Sequence, residues 1–127
     1  MESVKISAVL FANNLEKVAD FYVRVLGMCC KTRDEYHWLL NGFGFDLVIH
    51  QIPKQYLCEI KNPPKRRESG AIRLDFPVMN VDEARSVAAT LGGGIDKQSP
   101  NAENQASSLF LGYDPEGNVI GVYEQAC

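Results

Sequence analysis

Few residues in this sequence are of the types that form metal centres or disulfide frameworks. Its 127 residues include two histidines and four cysteines, and the cysteines form no C-x-x-C pair. Cys29 and Cys30 are adjacent, so on a strand they would point to opposite faces and make a poor shared metal site. We expect these two, together with Cys58 and Cys127, to be reduced thiols, because cytoplasmic proteins seldom keep disulfides.

Long apolar runs and an excess of basic charge are missing as well. No apolar run approaches the roughly 20 residues that span a bilayer. The start, Met1-Glu2-Ser3, lacks the basic and apolar segments of a signal peptide. The net charge is −3 and the pI about 5.3, whereas proteins that bind nucleic acid usually carry a basic face. We therefore expect a cytoplasmic protein that contacts neither nucleic acid nor membrane.

What the sequence does contain is typical of one globular domain. Apolar residues make up 46% and charged residues 23% of the chain, as in ordinary soluble proteins. A proline-containing, basic stretch, KNPPKRRESG, interrupts it at residues 61–70. We predict one domain, residues 1–127, of two modules at about 1–52 and 71–127, with an exposed connector at 53–70. The cluster Lys65-Arg66-Arg67 is typical of a solvated loop; an anionic partner is the alternative.

The first module has the pattern of a strand, a helix and three strands. Residues 4–12 alternate like a strand. Asn13-Asn14 suits a helix start, apolar residues recur at helical spacing from Leu15, and Gly27 suits the helix end. Strands are predicted around 28–32, 36–40 and 45–51. The last two are joined by a turn at Asn41-Gly42, a strong hairpin signal.

The second module repeats this order. Residues 71–78 alternate like a strand. Asn80 and Glu83 resemble a capping box, and three glycines at 92–94 end the helix. Residues 95–106 are mostly polar, and strands are predicted at 108–113 and 119–124. Asn14 and Asn80 are 66 residues apart, as are Ser7 and Arg73 in the two opening strands. This offset favours a repeat; two unrelated strand–helix units are the alternative.

The opening strand of each module has one apolar face, which should pack on its own helix. The other face mixes polar and apolar groups, with Ser7 and Phe11 in the first module and Arg73 and Asp75 in the second. Such a face suits a ligand cleft with a few directed polar groups. If the two half-sheets curl toward each other, these faces would enclose one cavity. A face that meets solvent or a partner subunit is the competing interpretation.

Three segments carry a family resemblance. They are NLEKVADFYVRVLGM at 14–28, FPVMNVDEA at 76–84 and GYDPEGNVIGVYE at 112–124. Together they resemble the vicinal oxygen chelate superfamily, which includes glyoxalase I, extradiol dioxygenases, fosfomycin-resistance enzymes and bleomycin-resistance proteins. The resemblance covers nearly the whole chain. It implies an α+β fold of two tandem βαβββ modules forming a curved mixed sheet around a cleft, and a homodimer.

The resemblance also implies where a metal would be bound. Metal enzymes of the family place His, Gln or Glu ligands on the concave faces of the opening and closing strands. The matching positions here are Ser7, Val48, Arg73 and Gly121. Val48 and Gly121 have no donor side chain, and the Arg73 guanidinium stays protonated. Sliding the register by two residues brings in His50 or Asp75 but never three ligands. We therefore expect no metal, no cofactor and no catalytic residue.

A small organic ligand suits the same cleft better. Phe11, Trp38 and Tyr123 offer flat surfaces for stacking, and His50, Arg73, Asp75 and Tyr113 can orient a polar ligand. The predicted ligand-binding residues are Ser7, Phe11, Trp38, Val48, His50, Arg73, Asp75, Tyr113, Gly121 and Tyr123. Plainer interpretations stay open: Trp38 as a core residue, His50 as a structural histidine, and Asp75 paired with Arg73 or Lys5.

Three functions are compatible with these observations. The leading hypothesis is metal-independent binding of a drug or metabolite, as in bleomycin resistance. The second is a glyoxalase- or dioxygenase-like lyase, isomerase or oxygenase with an atypical metal site that uses His50. The third is a structural or regulatory dimer whose cleft is filled.

Overall fold

A computed structural model describes residues 5–98 and 109–125. The chain divides into two compact units, Met1–Glu59 and Ile60–Cys127. Each unit contains a strand, a helix and three further strands, so the predicted α+β fold of two βαβββ modules is confirmed. In the part of the chain that is described, no helix is long and apolar enough to cross a membrane.

The first unit is a four-stranded mixed sheet with one helix. Its elements are β1 (Ile6–Ala12), α1 (Leu15–Arg24), β2 (Cys29–Arg33), β3 (His37–Gly42) and β4 (Phe45–Gln51), followed by a single 3-10 turn at Lys54–Tyr56. The strand order is β1-β4-β3-β2. Strand β1 runs parallel to β4, and the other neighbours are antiparallel.

Helix α1 begins and ends where the sequence predicts. The Asn14 side chain accepts a hydrogen bond from the Lys17 backbone N–H at 3.1 Å, which satisfies one of the helix's unpaired donors. Beyond the last turn, Gly27 takes a φ of 76°, a conformation in which glycine has no steric penalty. The helix buries Leu15, Val18, Ala19, Phe21 and Tyr22. Leu40, Leu47 and Ile49, all fully buried, supply the sheet's share of the core.

The predicted turn at Asn41-Gly42 is wrong by two residues. These residues close β3, where Asn41 pairs with Asp46 and Gly42 with Phe45. The turn itself is Phe43-Gly44, with φ of 57° and 70°. Two positive φ values match the type I′ turn, whose twist fits the flanking strands. Gly44 lacks a steric penalty there, whereas Phe43 is strained by roughly 1 kcal/mol.

The second unit repeats the layout. Its elements are β5 (Leu74–Val78), α2 (Val81–Thr90), β6 (Gly94–Ile95), β7 (Phe110–Tyr113) and β8 (Val119–Glu124). The order β5-β8-β7-β6 is that of the first sheet, with the same parallel pair at its start. Asn80 caps α2 by accepting from the Glu83 N–H at 2.9 Å. The buried helix residues are Val81, Ala84 and Ala88.

The turn between β7 and β8 is organised by a buried carboxylate. Asp114 is fully buried and accepts from the backbone N–H groups of Glu116 and Asn118 at 2.9 and 3.1 Å. The Asn118 side chain donates to it at 2.9 Å. Gly117, with a φ of 84°, lies against the backbone of Lys65, so a side chain has no room there. The predicted turn therefore also anchors the connector.

Several sequence predictions need correction. Ile6 is 78% exposed and Ile72 82% exposed, so the apolar faces of the opening strands are not buried throughout. The second opening strand starts at Leu74, later than predicted, and β6 was not predicted because two residues are too short for a period-2 pattern. The predicted polar stretch overlaps residues 99–108, which lie outside the described part.

The connector is more structured than an exposed loop. Pro64 is buried and Arg66 half-buried. The Arg66 guanidinium donates to the two carboxylate oxygens of Asp96 at 3.0 and 2.5 Å. The guanidinium carbon of Arg66, Cζ, lies 4.6 Å from the Tyr113 ring centroid. The basic cluster thus contributes one cation to the packing of the second unit, while Lys65 and Arg67 are exposed.

Candidate functional site

The first sheet has one face under α1 and one open face. Because neighbouring strands are in register, side chains on the open face line up in three rows across β1, β4 and β3. The polar row is Ser7, Asp46 and Asn41. The apolar row is Val9, Val48 and Leu39. The ring row is Phe11, His50 and His37. This ordering gives the face a polar end, an apolar middle and an aromatic end.

The ring row consists of three flat side chains on adjacent strands. The Phe11 and His50 ring centroids are 5.5 Å apart with planes tilted by 49°. The His50 and His37 rings are 6.1 Å apart and nearly parallel, at 12°. Phe11 is 59% exposed, and half of the His37 side chain is exposed. The row therefore presents accessible aromatic side chains, of the kind that stack on aromatic molecules.

Each histidine is oriented by an acceptor at Nδ1. His50 Nδ1 lies 2.9 Å from the Gln51 carbonyl oxygen. His37 Nδ1 lies 3.2 Å from Asp34 Oδ1. A carbonyl oxygen only accepts, so Nδ1 of His50 carries the proton and Nε2 is the remaining acceptor of a neutral imidazole. A proton on Nδ1 of His37 likewise suits its contact with the Asp34 carboxylate.

Asp34 is itself held by the loop before β3. Its Oδ1 accepts from the backbone N–H groups of Tyr36 and His37 at 2.8 and 2.9 Å. These two bonds lower the pKa of the Asp34 carboxyl, because a carboxylate that accepts hydrogen bonds resists protonation. Asp34 is thus a fixed acceptor for His37.

The polar row is internally paired. Asp46 accepts from the Asn41 side-chain amide at 2.6 Å and lies 3.7 Å from Lys5 Nζ. Both ionic side chains are about three-quarters buried, with 26% and 27% exposed. The polar end of the face therefore has a carboxylate that is already neutralised.

The second sheet also has an open face, with an ion pair at its centre. Arg73 donates through Nε to Asp75 Oδ1 at 2.7 Å and through Nη2 to Oδ2 at 3.2 Å. This bond raises the already high pKa of Arg73. Asp75 pairs with Gly121 across the strands, and its carboxylate lies where a side chain at Gly121 would begin. Tyr113 and Tyr123 share this face, and Tyr123 is 40% exposed.

Most of the predicted ligand-binding residues lie on these two faces. Ser7, Phe11, Val48 and His50 are on the first open face. Asp75, Tyr113, Gly121 and Tyr123 are on the second, and Arg73 directly precedes β5. Of the two partners considered for Asp75, Arg73 is the one it contacts. A cavity shared by the two modules stays a prediction.

Trp38 lies elsewhere. It alternates with His37 along β3 and pairs with Ile49, so it belongs to the helix side of the first sheet. There it lines a shallow groove of about 400 Å³ with Asn14, Glu16, Lys17 and Asp20, and Arg33 lies 5.0 Å from its ring. Trp38 therefore does not share the open face with Phe11, and its role in stacking on a ligand stays a prediction.

Three members of the open face, His37, Leu39 and Asp46, are not among the predicted ligand-binding residues. A hairpin pairs residues that are equidistant from its turn. A turn at Asn41-Gly42 would put His37 opposite Asp46, whereas the observed turn at Phe43-Gly44 puts it opposite His50. The second glycine of the N-G-F-G segment was the signal that could have led to the correct pairing.

Two mixed sheets of the same strand order, each with an open face, define a protein built from paired βαβββ modules. The sequence matches the glyoxalase-like domain family over residues 7–123. The chain therefore belongs to this family, consistent with the vicinal oxygen chelate superfamily.

Solved structures show the same fold at low sequence identity. A glyoxalase/bleomycin resistance protein from Albidiferax ferrireducens T118 is 16% identical, with a TM-score of 0.66 over 97% of this chain and 98% of that one. A glyoxalase/bleomycin resistance protein/dioxygenase family enzyme from Burkholderia phytofirmans PsJN is 18% identical, with a TM-score of 0.66 over 93% and 95%. Among proteins with curated functions, none matches this sequence significantly.

The residues at the family's metal positions do not fit a metal ion. Of the four residues, Ser7 alone has an uncharged oxygen that can contact a metal ion. Val48 and Gly121 have no donor atom in a side chain, and Arg73 is positively charged. Both carboxylate oxygens of Asp75 accept hydrogen bonds from Arg73, one from Nε and one from Nη2. Across residues 5–98 and 109–125, no three His, Cys, Asp or Glu side chains converge as metal ligands. Zinc and non-haem iron sites in proteins use three or more such ligands, and the residues described do not supply that set.

Proposed function

We propose that this protein binds a small organic molecule without a metal, and sequesters it. The relative from Albidiferax ferrireducens carries a bleomycin-resistance name, which is compatible with such a role. The observation that carries the proposal is the layered open face of the first sheet, in which an accessible apolar row lies between a polar row and a ring row.

The exposure of the apolar groups supports ligand binding. Val9 is 52% exposed and Phe11 59% exposed on the same face. Covering apolar surface contributes about 25 cal/mol per Å², so a ligand of a few rings can gain useful affinity there. The polar row beside it is already paired, through Asp46 with Lys5 and Asn41. A ligand placed on the apolar and ring rows would leave those pairs intact.

The metal-free part of the proposal rests on the four family ligand positions. A hydroxyl, a valine, an arginine and a glycine stand there, and the arginine is bound to Asp75. Bringing a divalent ion beside Arg73 would oppose like charges. The second open face thus supports binding through its ion pair and its tyrosines rather than through an ion.

The proposal is tested in two measurements. Native mass spectrometry of the protein purified without chelator reports mass, metal and any co-purified molecule. Titration with neutral aromatic fragments of one to three rings, followed through the methyl NMR signals of Val9, Val48 and Leu39, reports binding at the open face. We expect a bound organic molecule, or fragment-induced shifts at these methyls, and no stoichiometric metal.

A matched pair of variants locates the site. Phe11→Leu should weaken fragment binding about tenfold, the usual scale of an aromatic stacking contact. Phe43→Leu changes another exposed phenylalanine, at the far end of the same hairpin from the ring row, and should leave the affinity unchanged. Absence of shifts at all three methyls with every fragment would contradict the proposal, as would one divalent ion per chain.

A further inference from the structure

The ring row has a property that the proposed binding function does not require. Both of its histidines have Nδ1 engaged by an oxygen of the protein, Gln51 O for His50 and Asp34 Oδ1 for His37. Whenever the imidazoles are neutral, this arrangement leaves Nε2 as the lone-pair acceptor. Because Nε2 is the ring nitrogen farther from the backbone, the two acceptors lie at the outer end of adjacent side chains.

The two imidazoles act as a pair because of the strand register. His37 and His50 are directly opposite each other on β3 and β4. Their rings are nearly parallel, with centroids 6.1 Å apart. Phe11 continues the row on the other side of His50, at 5.5 Å. An aromatic ring lying against Phe11 would thus have the His50 imidazole beside it and His37 on the next strand.

The charges around the pair disfavour an anionic ligand. Asp34 carries its charge 3.2 Å from His37, and its lowered pKa keeps it ionised. The lone pairs of neutral imidazoles also repel a carboxylate. A ligand without a hydrogen-bond donor would displace the water that bonds to Nε2 in the free protein and would leave this acceptor unpaired.

We infer that the open face of the first unit selects neutral, flat aromatic molecules that carry a hydrogen-bond donor, an O–H or N–H, on the ring edge. This inference rests on the proposed binding function and names its ligand class. Phe11 and the apolar row bind the ring, and His50 and His37 accept the donor hydrogen.

The experiment compares probes that differ only in the donor. Calorimetry at pH 8, where imidazole is ordinarily neutral, measures 2-naphthol against 2-methoxynaphthalene, and indole against 1-methylindole. We expect each donor-bearing probe to bind about tenfold more tightly than its methylated partner, the scale of one net hydrogen bond. The anion 2-naphthoate should bind more weakly than 2-naphthol.

Variants that keep a flat ring but remove the acceptor provide the control. In His50→Phe and His37→Phe, and in the double variant, the ratio within each probe pair should fall toward one while the methylated probes still bind. Circular dichroism confirms that each variant is folded. His37 is half exposed, so at least this variant should fold normally.

The results distinguish an error in the ligand class from an error in the proposed binding function. If both members of each pair bind equally and shift the Val9 and Val48 methyls, the ligand class is wrong and the binding function stands. Tighter binding of 2-naphthoate also overturns the ligand class. If no probe shifts those methyls, the inference and the proposed function fail together.

Discussion

The carboxylate of Asp75 occupies the space that a side chain at Gly121 would fill. A Cβ atom at Gly121 would overlap Asp75 Oδ1 and approach Leu109 Cδ1 to 3.0 Å. Arg73 holds this carboxylate with two hydrogen bonds. Two of the four family ligand positions, 73 and 121, are thus joined through Asp75 into one structural unit. The absence of a side chain at Gly121 makes room for the Arg73–Asp75 ion pair.

This relationship predicts that Gly121→Ala destabilises the protein. The added methyl must displace Asp75 or Leu109, and such overpacking costs about 1–3 kcal/mol. Urea unfolding at pH 7 measures the change in the free energy of unfolding. In an Asp75→Ala background the same Gly121→Ala change should cost clearly less. Equal costs in both backgrounds would show that Asp75 does not fill the space.

The hairpin turn of the first unit gives a second prediction. Gly44→Ala forces a Cβ into positive φ and should cost about 1–2 kcal/mol. Gly42→Ala meets only Met28 atoms, at 3.6–3.7 Å, and should cost less than about 0.5 kcal/mol. Phe43→Asn should stabilise by up to about 1 kcal/mol, because asparagine tolerates positive φ better. Thermal unfolding ranks the stabilities of the three variants. If Gly42→Ala costs more than Gly44→Ala, the turn lies at Asn41-Gly42 instead.

The repeat and both helices were predictable because local signals agree with the packing that follows them. Asn14 and Asn80 accept the hydrogen bonds expected of caps, and the apolar stripe from Leu15 is buried. Such signals depend on residues that are close in sequence. They need no knowledge of which strands become neighbours.

The pairing of side chains across strands was not predictable from local signals. The N-G-F-G segment contains two candidate turns, and only the flanking pairings distinguish them. The choice shifts every cross-strand partner on β3 by four residues along β4, which is why the His37–His50 pair was missed. The face of Trp38 does not depend on this choice, because side chains alternate along β3 and a shift of four residues leaves Trp38 on the helix side.

The two helix caps should contribute equally to stability. Asn14→Ala and Asn80→Ala each remove a side-chain acceptor from a helix N-terminus and should cost about 1 kcal/mol. Asn14→Asp and Asn80→Asp keep the acceptor and should stay near the wild-type value. Denaturant unfolding measures all four. A cost at one site only would show that the two units do not use the cap alike.

We propose that the protein is a homodimer. Strand β2 lies at the edge of its sheet and all five of its residues are exposed; uncovered edges favour association. Since the chain has a mass of 14.1 kDa, sedimentation equilibrium at tens of micromolar should give about 28 kDa for a closed twofold pair. A mass near that of one chain contradicts the dimer.

The Arg66–Asp96 pair predicts a defined pH dependence of stability. The Asp96 carboxyl, whose ordinary pKa is 3.8, has a lowered pKa, mainly because it accepts hydrogen bonds from Arg66. Because the pKa of Asp96 is lower in the folded state than in the unfolded state, the pair stabilises the fold at pH values above the unfolded-state pKa. This stabilisation is lost as the pH falls through the folded-state pKa. The Asp96 side chain is 37% exposed, so screening limits the contribution to about 0.5–1 kcal/mol.

Asp96→Asn should therefore lower the free energy of unfolding at pH 6 and have a progressively smaller effect below about pH 4. Denaturant titrations at pH 6, 4 and 3 measure this difference. Asp20→Asn is the matched control, because Asp20 also pairs with an arginine, Arg24, at 3.6 Å, but lies in the middle of α1 with a 49% exposed side chain; its effect should not exceed about 0.5 kcal/mol at any pH. If Asp96→Asn costs as much at pH 3 as at pH 6, its role is that of a hydrogen-bonding side chain whose charge contributes nothing.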